Sequence, residues 1–139
     1  MTTETKSTDV ADVKFDKDEL LKIFDEMIFS GEYTEEVTIR GRLKVVFKAK
    51  TVEDNTAISK EIDSSNYNLL ATLQEHRALL SLAYSLVGYS GKDLSQVKIE
   101  ERRKVIDKLP TVVVSLLSNA LVTFDSKIDA ACQEGEANF

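Results

Sequence analysis

Between residues 20 and 50 the apolar residues change their spacing, and this constrains the fold more than any single motif. Leu20, Leu21, Phe24, Met27 and Ile28 fall at i, i+1, i+4, i+7 and i+8, which is one stripe along a helix. Asp16 and Asp18 are candidate N-caps, and Gly31 supplies a stop. The period then becomes two. Val37 and Ile39 alternate with Thr38 and Arg40; after Gly41, Leu43, Val45, Phe47 and Ala49 alternate with Lys44, Val46, Lys48 and Lys50. This pattern predicts a hairpin with strands near 36–40 and 43–50, turning at Arg40-Gly41-Arg42, with one apolar and one mainly basic face. A lone hairpin is marginal in water, so its apolar face is expected to lie on helices.

Helical spacing then resumes. Thr51 is a candidate N-cap with Glu53 and Asp54 in the first turn, and Ala57, Ile58 and Ile62 continue the helix to a polar break at 63–66. A longer helix is expected from about Asn66 to Val87. It carries Leu69, Leu70, Leu73, Leu80, Ala83, Leu86 and Val87, with Leu79 and Leu82 widening the stripe, and should be the central, most buried one. Gly88 to Asp93 reads as a turn. Two more helices follow, about 96–108 and 110–131, with Pro110 at the first position of the last. The expected fold is α+β and predominantly α-helical, a short N-terminal β-hairpin packed on a bundle of four to five helices. Residues 1–14 are expected to be a disordered polar arm, 15–131 a single domain, and 132–139 an acidic flexible tail.

With 139 residues, the chain has the size of one ordinary domain. Its net charge of −6 does not favour nucleic acid or an anionic membrane as partner. One cysteine, Cys132, excludes an internal disulfide, and one histidine, His76, excludes a zinc site built on several Cys and His. The N-terminus has no basic cluster followed by an apolar core, and the stretch 110–124 is too short to span a bilayer, so a reducing cytoplasm is the expected location.

Catalytic motifs do not develop. Gly91-Lys92 suggests a phosphate loop, but Leu86 stands where that motif needs glycine and Asp93 where it needs Ser or Thr. Gly88-Tyr89-Ser90-Gly91 is not a nucleophile elbow, because the second glycine directly follows the serine. His76 has no second histidine at i+4, and Cys132 has no base beside it in sequence. The expectation is a non-enzyme with no cofactor and no metal.

Charge is segregated instead. Residues 16–36 hold eight acids and two lysines, whereas residues 40–50 hold five cations and no acid. The cations read either as a solvated face complementing a neighbouring helix or as a docking stripe for an acidic partner. On the docking reading, Arg40, Arg42, Lys44 and Lys48 are partner-binding candidates. The last helix adds Val112 and Leu116: with Val122 they form a second apolar patch beside the stripe Val113, Leu117, Leu121, Phe124 and Ile128. That patch is either further core or a surface for self-association or a client helix.

Three stretches carry a resemblance to a known family. They are the hairpin leading into a capped helix (Val37 to Asp54), the helix end and turn LSLAYSLVGYSGKDL (Leu80 to Leu94), and EERRKVIDKLPTVVVSLL (Glu100 to Leu117). In this order they resemble the tail assembly chaperones of long-tailed bacteriophages and, more loosely, the hub-assembly proteins of T-even-type baseplates. The resemblance implies a non-catalytic late protein of the host cytoplasm that binds the tape-measure protein, or another tail protein, and keeps it soluble during virion assembly. Such proteins are often also made in a longer, frameshifted form. The basic hairpin stripe matches no motif of that family. The alternative is a structural or baseplate-associated tail component retained in the virion.

Overall fold

The computed structural model describes residues 15–64 and 70–138. It is α+β and helix-dominated, with five helices and a four-stranded antiparallel sheet. In chain order the elements are α1 (Lys17–Ser30), β1 (Thr34–Ile39), β2 (Leu43–Lys48), α2 (Val52–Asp63), α3 (Leu70–Ser85), β3 (Leu86–Tyr89), β4 (Lys92–Asp93), α4 (Ile99–Asp107) and α5 (Thr111–Ala137). The disordered arm expected at 1–14, and the start of the helix expected from Asn66, lie outside the described residues.

The described residues divide into two compact units. One joins the chain up to Tyr33 with the chain from Val122 onward; the other is Thr34–Leu121. The cause is a long-range partnership. The apolar stripe of α1 is buried with the C-terminal half of α5, where Leu20, Ile23 and Ala131 form a core with Met27, Tyr33 and Ile128 against it. Asp16 caps α1 by accepting the Glu19 amide at 3.2 Å, and Gly31, at φ +79°, closes it with an N–H donated to the Met27 carbonyl. Tyr33 stacks on Phe124 at 6.2 Å between ring centroids, and Lys127 pairs with Glu19 at 3.1 Å. The tail expected to be flexible from 132 is helical through Ala137, because Gly135 lets the backbone of α5 approach the Phe24 ring.

In the larger unit β2 lies between β1 and β3, and β4 completes the order β1-β2-β3-β4. The hairpin forms at the expected place. Arg40 and Gly41 both have positive φ (+56° and +68°), and the Arg42 amide donates to the Ile39 carbonyl at 3.1 Å, as primed hairpin turns require. Ile39, Val45 and Phe47 point to the buried face.

The expected central helix stops at Ser85, not Val87, and the expected turn at Gly88–Asp93 is mostly strand. Leu86 and Val87 satisfy a helical spacing, but β2 offers an edge of unpaired backbone groups. Phe47 pairs with Leu86, Val46 with Gly88 and Val45 with Tyr89. Ser90-Gly91, again with two positive φ values, makes the tight turn into β4. Ser85 is fully buried, and its hydroxyl donates to the Lys48 carbonyl at 2.7 Å, marking the change from helix to strand. Leu80 is buried with Ile58 and Ile62, and Leu73 is partly buried beside them, whereas Leu79 reaches the surface. Pro110 stands one residue before α5, its carbonyl accepting the amides of Val113 and Val114.

Candidate functional site

Two surfaces of the larger unit are candidates, and the sequence-predicted residues lie on them or beside them. The first is the outer face of the sheet. In the antiparallel register Thr38 faces Lys44 and Glu36 faces Val46, so these side chains project away from the buried Val45 and Phe47. A shallow concavity of about 460 Å³ lies on this face, with Val46 and Gly88 in its floor and Glu36, Lys44, Lys92 and Asp93 around it. Gly88 shapes the floor, because a Cβ there would sit 2.9 Å from a Val46 methyl. The space a side chain would take there is filled by Val46, which packs over the buried glycine.

The basic stripe is not uniform. Lys48 is committed to the fold: its Nζ lies 2.8 Å from an Asp54 carboxylate oxygen. Asp54 also caps α2 from its third position, accepting the Thr51 amide at 3.0 Å while its own amide donates to Thr51 Oγ1 at 3.1 Å. Burial pushes the Asp54 carboxyl up, but the Lys48 and Thr51 hydrogen bonds outweigh it and hold the group below its ordinary range. Arg40, Arg42 and Lys44 are exposed and make no ion pair among the described residues. Lys48 therefore complements a neighbouring helix, whereas Arg40, Arg42 and Lys44 project from the hairpin.

Behind the concavity lies Arg102, a buried cation that composition and spacing did not single out. Its guanidinium donates to the carbonyls of Val97 (2.9 Å), Ser95 (3.1 Å) and Ala83 (3.4 Å). Burial draws its pKa below the usual value, and Asp54 and Asp93 oppose that. The arrangement fastens the loop after β4 to α3, which in turn holds Asp93 and Ser95 at the concavity. Asp93 accepts the Ser95 amide at 2.8 Å, and hydrogen bonding to Ser95 lowers its carboxyl.

The second surface is a groove of about 520 Å³ lined by α3, the end of α4 and the first turns of α5. Ala78, Leu79, Leu109 and Val114 supply apolar surface, Ser115 and Ser118 keep part of the α5 wall low, and Glu75 and Asp107 make the groove acidic. Close by, Glu61 of α2 holds Arg103 of α4 at 2.6 Å, and His76 of α3 lies 3.4 Å from the same oxygen. One carboxylate thus ties three helices together.

Val112 is 67% exposed and Leu116 half-buried; both lie on the neighbouring face of α5, outside the groove lining. Sequence reasoning found the α5 apolar patch but missed the groove, which needs three helices brought together. It also missed the sheet concavity, although a Ser-Gly pair after Leu-Val-Gly-Tyr is a hairpin signal.

α5 differs from the sequence expectation in one further respect. At 27 residues it is long and apolar enough, by length and composition, to cross a membrane, and only 17% of its most apolar stretch is buried. Its uncharged run of 14 residues, 111–124, ends at Asp125, short of the about 20 that a span needs. Among the described residues no group of three or more His, Cys, Asp or Glu is placed to hold a metal. In comparisons with known proteins, no family model, no curated protein and no solved structure matches the chain.

Proposed function

We propose that this protein is a non-catalytic chaperone of phage tail assembly, which binds the tape-measure protein in the host cytoplasm and keeps it soluble until the tail tube forms around it. The observation that supports this reading is the apolar surface that α5 leaves exposed. Val112 is 67% and Val122 50% exposed, with half-buried Leu116 beside them, which leaves apolar surface for a partner to cover. Next to it lies a groove with an apolar floor, low serine walls and acidic flanks. Such a groove suits an amphipathic helix bearing Lys or Arg beside its apolar stripe. A long helical client offers many such segments.

The test is co-expression with a tape-measure protein, followed by measurement of its soluble fraction. The wild-type chain is expected to raise that fraction, and Val112→Asp with Leu116→Asp to abolish the gain while the isolated chain keeps its circular dichroism and melting temperature. Unchanged client solubility with the wild-type chain would overturn the proposal. So would flotation of the chain with liposomes, since α5 would then be covered by lipid.

A further inference from the structure

A different part of the molecule exposes large apolar side chains. At the end of α1, Phe29 is 84% exposed and Ile28 50%. Asp25 and Glu26, four and three residues earlier, share the Phe29 face, and Glu32 follows just after the helix. None of these three carboxylates makes an ion pair among the described residues. The result is a convex aromatic knob ringed by negative charge.

The outer sheet face has the opposite character. It is concave and apolar over Val46 and Gly88, and Lys44 and Lys92, which make no ion pair among the described residues, border it, with Arg40 and Arg42 at the hairpin turn beyond Lys44. Two carboxylates, Glu36 and Asp93, also border it. With the two arginines of the turn, four cations stand against these two acids. The concavity of about 460 Å³ exceeds the volume of one phenyl ring several-fold, and the half-buried Val46 offers the ring an apolar surface.

We propose that these two surfaces are the halves of one contact between copies of this chain: the Phe29 knob of one copy docks on the outer sheet face of the next. Charge complementarity selects the occupant. The acids around Phe29 meet the hairpin cations, and the ring covers Val46 and Gly88. Because knob and concavity are different surfaces, each contact uses one half from each copy, and the second half of each is open to a reciprocal or a further copy. The contact is small, so it is weak and sensitive to salt.

Sedimentation velocity on the full chain, at concentrations up to about 200 µM where weak interfaces become populated, reads this directly. The wild type is expected to self-associate as concentration rises and to dissociate as salt rises. Phe29→Asp removes the knob, and Lys44→Glu with Arg42→Glu inverts the receiving face. Each is expected to lower the association constant at least about tenfold without changing the melt, since the altered side chains are solvent-exposed. An equimolar mixture of the two variants pairs the one intact knob with the one intact face, so it is expected to form a heterodimer and nothing larger. A wild type that stays monomeric, a Phe29→Asp chain that assembles like the wild type, or a mixture that stays monomeric would each overturn the proposal.

Discussion

Replacing Gly135 by alanine sets two effects of opposite sign against each other. In an open helix interior, alanine is favoured over glycine by about 1 kcal/mol. Gly135 is in the last turns of α5, where fraying reduces that gain, and its Cα is buried against Phe24. A methyl built there overlaps three carbons of the Phe24 ring. That ring is only 8% exposed and belongs to the interface of α1 with α5, so it has little room to swing away. Overpacking of this kind costs about 1–3 kcal/mol. The net expectation is a loss of about 1–2 kcal/mol, read as a fall of roughly 3–8 °C in the thermal midpoint. Phe24→Leu shortens the opposing side chain; in that background Gly135→Ala is expected to be neutral or stabilising, a coupling of at least about 1 kcal/mol in the double-mutant cycle. A wild-type background in which Gly135→Ala raises the midpoint would show that residues 132–137 do not pack on α1.

Two further outcomes follow from local chemistry. Arg40 occupies the left-handed region at φ +56°, so Arg40→Asn is expected to stabilise the hairpin by about 0.5–1 kcal/mol in denaturant melts; a loss of stability would place that turn in another geometry. Asp54 has a folded pKa below its ordinary 3.8, so its contribution is fully present above that value and fades as pH falls through the depressed one. Acid titration of stability is expected to show a loss below about pH 4 that is smaller in Asp54→Asn, and equal acid sensitivity of the two chains would refute the Lys48–Asp54–Thr51 linkage.

Local signals in the sequence determined much of the secondary structure. The Asp16 cap and Gly31 stop bound the first helix, Thr51 and Asp54 cap the second, and the period-two run with Arg40-Gly41 places the first hairpin. Each depends on residues a few positions apart, where side-chain chemistry acts on the adjacent backbone. The separated charges and the apolar patch at Val112 and Leu116 were legible for the same reason.

Tertiary structure decided the rest. Leu86 and Val87 have helical spacing, yet the backbone of β2 binds them as strand, and Gly88 is tolerated opposite Val46 because it has no Cβ. The burial of Arg102, the three-helix groove and the continuation of α5 through 132–137 all depend on partners distant in the chain. Periodicity reports which face of an element is apolar. It does not report which neighbour covers that face, because hydrophobic burial is non-directional and the choice of partner emerges only when the whole chain packs.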